Sequence, residues 1–234
     1  MVNGVTLSSE GMHAASIQQE IIANNLANLN TTGFKGGKVF LRMLENPEMN
    51  QPVLEEQEVF DFTQGALKST GNTYDFALEG PGFFVVQAAE GLRFTRNGAF
   101  SINADGFLVS SDGAFVMGES GPIQADGEVS VGANGEIYQN GEFLDSLRVV
   151  DFVHPYRLQK IHASQFVLAD ASSELSSAQS SVVKQGYLEQ SNVNAIREMV
   201  AMMNVFRAFE ADAKALKVQD EATGRTINDV GQVR

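Results

Sequence analysis

Any chemistry in this chain would rest on histidine, carboxylate and amide side chains, because it has no cysteine and only three histidines. Thiol nucleophiles, disulfides and Cys-ligated zinc or iron–sulfur clusters are thereby excluded. His13 stands alone in a helical segment, and His154 and His162 follow a strand-like run. None has the i, i+4 partner with which a helix presents two imidazoles to one metal ion. There is no Gly-x-Ser-x-Gly nucleophile elbow. Gly80-Pro81-Gly82 lacks the third glycine of a dinucleotide fingerprint and leads into a strand instead of a helix.

Two acidic patterns need weighing. Ser101, Asn103, Asp105, Gly106 and Asp112 have the spacing of a calcium loop. That loop, however, wants Asp first, a bidentate Glu last and flanking helices, and this stretch has Ser, Asp and strands. Two successive hairpin turns, Asp105-Gly106 and Asp112-Gly113, account for the same residues. Paired carboxylates could also cleave glycosides, but acidic residues at turns are ordinarily just solvated. With no Trp, the chain also lacks the indole faces on which sugars commonly stack. The expectation is a protein with no catalytic residue, metal or cofactor. An enzyme or carbohydrate-binding module on the β-region, or a calcium-tuned adhesin, are the rival readings.

The amides carry more information. Asn24, Asn25, Asn28 and Asn30 crowd the end of a helical segment, where Asn has a mediocre propensity. One reading is a fraying C-terminus. The other is a set of buried amides that hydrogen-bond across a close helix interface and fix its register.

Three zones must position these groups. From Thr6 to Leu29, Met12, Ala15, Gln19, Ile22, Leu26 and Leu29 recur in steps of three and four, with Leu7, Ala14, Ile17 and Ile21 beside them. A helix apolar over so much of its circumference needs more than one neighbour. From Asn192 to Val230, Ala195, Met199, Met202, Phe206, Phe209, Ala213, Leu216, Asp220, Thr223, Ile227 and Val230 form a heptad-like seam. Such a helix is on the order of 55 Å long at about 1.5 Å per residue, with Gly224 as the expected point of fraying or a break.

Between the helices, Asn97-Gly98, Asp105-Gly106, Asp112-Gly113, Asp126-Gly127, Asn134-Gly135 and Asn140-Gly141 are two-residue hairpin signals. The runs Phe83–Gln87, Leu92–Thr95, Phe107–Val109, Ala114–Met117 and Leu147–Phe152 are strand-like. The fold class expected is therefore α+β: a central all-β antiparallel domain, barrel- or sandwich-like, with N- and C-terminal α-helices that pair as a coiled-coil-like stalk. The expected boundaries are 1–35 for the N-terminal helix, 36–69 for an extended acidic connector, 70–185 for the β-domain and 186–234 for the C-terminal helix. Glu45–Asp61, with six acidic and no basic residues, carries the connector's charge.

At 234 residues the chain has room for one large or two modest domains, and its 43% hydrophobic and 19% charged residues are a globular mixture. A net charge of -13 disfavours nucleic acid as a partner. No run approaches the roughly 18 apolar residues of a membrane span. No basic residue precedes Lys35, so the start lacks the basic n-region of a cleaved secretory signal. Export, if it occurs, is expected to take another route.

The stretch Ala23-Asn24-Asn25-Leu26-Ala27-Asn28-Leu29-Asn30-Thr31-Thr32-Gly33-Phe34-Lys35 resembles the N-terminal signature of the bacterial flagellar basal-body rod and hook proteins. Thr70–Val85 and Phe94–Phe100 resemble the opening of that family's β-domain. Gly186–Val193, with Glu198-Met199 and Arg207–Ala211, resembles its C-terminal signature. Pro81 and Phe206 depart from the pattern, which favours Asp or Asn and a polar residue there.

The resemblance implies a structural protein whose terminal helices form the inner tube of an axial assembly, with the β-domain facing outward. It implies self-association, other rod and hook proteins as partners, and contact with surrounding ring proteins. It also implies passage through the flagellar type III export apparatus without a cleaved signal, and torque transmission around a central channel. On this reading the assembly interface comprises Ile22, Asn24, Asn25, Leu26, Asn28, Leu29, Gly33 and Phe34 of the first helical segment. Asn192, Val193, Met199, Met202, Phe206, Phe209 and Leu216 complete it from the second. Within the family, the short Gly36–Ser69 stretch and the tail Gly224–Gly231 look closer to the FlgF-type proximal rod protein than to the FlgG-type distal one.

Overall fold

Two long helices bracket a series of short strands in the computed structural model, which describes residues 2–46, 51–152, 158–168, 175–177 and 181–231. Helix α1 is Val2–Ala27, and α2 is Ala195–Gly231. The first strands are β1 (Gly37–Asn46), β2 (Gln51–Phe60), β3 (Leu67–Ser69), β4 (Phe76–Glu79), β5 (Phe83–Ala88) and β6 (Gly91–Thr95). Next come β7 (Phe100–Ile102), β8 (Leu108–Ser110), β9 (Phe115–Val116), β10 (Val129–Val131), β11 (Glu136–Gln139) and β12 (Glu142–Ser146). The series ends with β13 (Val149–Phe152), β14 (Leu158–His162), β15 (Gln165–Leu168), β16 (Leu175–Ser177), β17 (Val182–Gln185) and β18 (Tyr187–Glu189).

The chain divides into two units. One combines Met1–Ala27, Gly36–Asp61 and Asn194–Arg234; the other combines Asn28–Lys35 and Phe62–Val193. Asn28–Lys35 and Gly186–Val193, placed with the helices on sequence grounds, thus group with the strands.

In the helical unit, α1 and α2 lie side by side. Gly4 faces Gln219, Gly11 faces Asp212, and Asn25 bonds Glu198. One residue number rises as the other falls, so the helices run antiparallel. Ser8, Ala15, Ile22 and Asn25 are the buried positions of α1, spaced as one face of a helix. The start of α2 is capped by Asn194, whose Oδ1 accepts the Arg197 amide at 3.1 Å and whose carbonyl accepts that of Glu198 at 3.0 Å. Contrary to the expected break, α2 continues through Gly224. A glycine costs about 1 kcal/mol inside a helix, too little to stop one that is helical on both sides.

The acidic connector has more structure than its composition suggests. Strands β1 and β2 form an antiparallel hairpin in register from Gly37↔Phe60 to Asn46↔Gln51. Pro52 opposes Glu45 near its tip, and an open-edged ribbon tolerates a residue with no amide to donate.

In the strand-rich unit the largest sheet has the order β14-β15-β6-β5-β9-β8-β7, with β13 and β16 off that path. Of the two expected forms, barrel or sandwich, a closed barrel does not form: β14 and β7 end this order without pairing to each other among the described residues, and the remaining strands make separate small sheets. Strands of two to six residues carry too few ladder bonds to bring distant edges together.

Strand β5 explains where the core sits. One of its edges takes β6, while the other is shared by β13 at Phe83 and Phe84 and by β9 at Val86 and Gln87. Its unbroken apolar run is what a strand covered on both faces requires. Phe84 and Val86 enter a core with Phe76, Phe100, Leu108, Val116, Ile137 and Leu147. Phe83 packs on the other side against Phe62, Phe152 and Phe166 at centroid distances of 5.7, 5.7 and 6.0 Å. Full burial of each such ring contributes about 1.5–3 kcal/mol.

Five of the six hairpin signals carry the positive φ they imply, and Asn97-Gly98 does not. Gly106, Gly113, Gly127, Gly135 and Gly141 all have positive φ, and Asn140, at 53°, is the non-glycine residue that shares it. Asn140-Gly141 is therefore the two-residue turn with positive φ at both positions, joining β11 to β12.

Candidate assembly interface

The candidate residues of the first helical segment fall into three environments. Ile22 is buried on α1. Asn25 is buried too: its Nδ2 donates to the Gly37 carbonyl at 2.9 Å and to Glu198 Oε2 at 3.2 Å, and its Oδ1 accepts the Gly37 amide at 3.0 Å. Both sides of one amide thus hold the root of the β1–β2 hairpin and the first turn of α2, so this Asn makes the cross-element bonds that the second of the two amide readings expects. Asn24 is exposed, and Leu26, Asn28 and Leu29 are half-buried.

Gly33 and Phe34 are buried inside the strand-rich unit. Gly33 has φ 66° and lies so close to the backbone of Arg96 and Asn97 that a Cβ there would collide with it. The position therefore demands glycine twice over, by conformation and by space. The Phe34 ring has no exposed surface, and the Lys160 ammonium sits 3.7 Å from its centroid.

On α2 the expected seam divides. Met202, Phe209 and Leu216 are half-buried, in helical step with Glu198, Asp212 and Gln219, which reach α1. Met199 is 54% exposed and Phe206 51%. An antiparallel pair covers one flank of each helix, so the alternate seam positions remain in solvent. Beside them Ile196, Val200 and Met203 are also exposed. These three lie off the four-three track of the expected seam, and the i, i+3, i+4 spacing from Ile196 through Phe206 marks a second stripe. Asn192 is half-buried and donates to the Thr63 carbonyl at 3.1 Å; Val193 is half-buried next to it.

Other groups with chemical potential have structural partners. Asn103 Oδ1 accepts the amides of Asp105 and Phe107, which makes the calcium-like spacing an Asx turn. Asp112 accepts from Ser110 Oγ at 2.6 Å and Gln165 Nε2 at 2.9 Å, with Arg93 3.5 Å away. Burial alone would raise its carboxyl pKa. The two side-chain hydrogen bonds and the guanidinium outweigh that and hold it below the usual range. His13 and His162 are exposed, and His154 lies outside the described residues. Among the described residues no group of three or more His, Asp or Glu is arranged to hold a metal ion, and no helix is long and apolar enough to cross a membrane.

Three family descriptions match parts of the chain in order: "Flagella basal body rod protein" over residues 7–35, "Flagellar hook protein FlgE/F/G D1 domain" over 77–139, and "Flagellar basal body rod FlgEFG protein C-terminal" over 184–229. The flagellar basal-body rod protein FlgF of Caulobacter vibrioides is 32% identical over 92% of both chains. That of Rhizobium meliloti is 32% identical over 100% of both. The FlgG protein of Buchnera aphidicola subsp. Schizaphis graminum is 28% identical over 94% of this chain and 97% of its own.

Proposed function

Because the chain belongs to the flagellar basal-body rod protein family, we propose that it is a FlgF-like proximal rod subunit, self-assembling through its terminal helices into the axial shaft. The family consists of structural rod proteins, not enzymes, and its place is the flagellar basal body. The shaft transmits torque and encloses the export channel. The subunit's neighbours are further copies of itself and other rod and hook proteins, with ring proteins around them. It arrives through the flagellar type III apparatus. FlgF relatives at 31–32% identity, against FlgG relatives at 26–30%, favour the proximal subtype.

The observation that carries this reading is the exposed apolar stripe Ile196, Met199, Val200, Met203 and Phe206 on α2. A row of large apolar side chains along a paired helix is an interface awaiting a neighbour. Asp placed within it would bury an unpaired carboxylate on assembly, at a cost of several kcal/mol. Phe206→Asp is therefore expected to abolish swimming in soft agar and rod formation in isolated basal bodies. The purified variant keeps the circular dichroism of the parent. A motile Phe206→Asp strain would sink the assignment of this face.

A further inference from the structure

We propose that Glu189 is the closure lock of the strand-rich unit: a buried anion on which segments from four places in the chain are assembled, so that the unit reaches its native state only when its last strands dock. The proposal is independent of rod assembly.

Among the described residues, Lys35 and Glu189 are the charged side chains with no exposed surface at all. Glu189 Oε1 accepts Lys35 Nζ at 2.6 Å and the Gly65 amide at 2.9 Å, while Oε2 accepts Arg96 Nη1 at 3.3 Å. Each cation is anchored a second time. Lys35 Nζ donates to the Thr63 carbonyl at 2.7 Å, and Arg96 Nη2 donates to that of Gly80 at 2.7 Å. The backbone closes round the same point, with Gly33 N donating to Glu189 O at 2.8 Å and Gln190 N to Ala66 O at 2.9 Å.

The topology gives this cluster its meaning. The last two strands of the unit pair with its first two and not with the large sheet: β17 with β4, and β18 with β3, where Glu189 opposes Leu67. The carboxylate on which Lys35 and Arg96 converge is thus the last of these groups in the chain. Stability alone does not require ions here, since well-packed apolar replacements of buried ion pairs are often as stable. Ions add discrimination. A collapsed state with β18 undocked, or docked out of register, leaves two cations without their shared carboxylate, whereas an apolar plug would tolerate the slip.

The test uses the full-length chain and four variants: Lys35→Met, Glu189→Gln, the double variant, and Lys184→Met. The last removes the solvent-exposed Lys184–Glu79 ion pair at 2.6 Å from the same closing strands. Urea unfolding gives the folded-to-unfolded ratio, and hydrogen exchange reports on the β3–β18 and β4–β17 amides. Lys35→Met and Glu189→Gln are each expected to lower the ratio at least a hundredfold, about 2.8 kcal/mol at roughly 1.4 kcal/mol per decade. The fastest-exchanging amides should be those of β3 and β18. The double variant should fall no more than tenfold below the weaker single, and Lys184→Met should stay within threefold of the parent. Single variants within threefold of the parent, or a double whose loss is the product of the two, overturn the lock. If a single variant does not fold, recovery of folded protein in the double supports the proposal, and an equally unfolded double overturns it.

Discussion

Asp112 shows how one side chain can look like a ligand and serve as a brace. Its carboxylate takes hydrogen bonds from Ser110 and Gln165 and the field of Arg93, which is itself bonded to Gln165 at 2.8 Å and paired with Glu90 at 2.9 Å. A carboxyl held below its usual range contributes stability above its unfolded-state pKa and loses it as the pH falls through the folded value. Asp112→Asn is therefore expected to be less stable than the parent at pH 7, with the gap narrowing as the pH drops below about 4. Urea midpoints measured across that range check it, and a gap that widens toward acid refutes it. The Asp112 side chain is 41% exposed, so solvent screening keeps the effect small. For Asn25 and its neighbouring amides the sequence left two readings open, a fraying helix end or bonds across an interface; the bonds of Asn25 to Gly37 and Glu198 are of the second kind, and nothing local identified Gly37 as a partner. Lys35 and Glu189 gave no such hint, because charged residues are usually solvated and their convergence depends on strands far apart in the chain.

The helix pair uses small residues as well as apolar ones. Gly11 leaves room for Asp212, whose Oδ2 would lie 2.6 Å from a Cβ at that position, and Gly4 does the same for Gln219. Alanine at 11 gains about 1 kcal/mol of helix propensity but pushes on a carboxylate that can swing away. A branched side chain cannot be accommodated by that movement. Gly11→Val is expected to lower the thermal midpoint of the helical circular dichroism signal while leaving the strand-rich unit's transition in place, with Gly11→Val/Asp212→Ala recovering part of the loss. An unchanged helical transition would show that this notch does not hold the pair. The periodicity of α2 was legible, as was its length. Which half of the heptad meets α1 was not, because a seam read from one chain contains both the flank used within the subunit and the flank left exposed. The hairpin β1–β2 was hidden for a different reason. Its strands carry acidic residues and a proline that read as a loop, whereas its pairing is a matter of strand register and of the Asn25 grip at its root.

At the scale of the whole chain, a strand-rich unit with a doubly covered central strand is joined to a helical unit that leaves large apolar side chains in water. Opening free energies follow buried apolar contact, so limited proteolysis of the dilute protein is expected to remove the C-terminal part of α2 before cutting between Phe76 and Phe152. Fragment masses over a digestion course report the order. Equal survival of both regions would refute it, because the end of α2 would then be held as firmly as the strand core. The sequence by itself determined the α+β class, the two terminal helices, the turns from Asp105-Gly106 to Asn140-Gly141, and the family, since each depends on local propensity or on motifs that keep their spelling. Only the tertiary structure decided that the sheet stays open, that Gly33, Phe34 and Glu189 belong with the strands, and that Met199 and Phe206 face solvent. Those outcomes depend on which distant segments share space, and a buried charge or an unused helix flank has no local signature until its partner is in place.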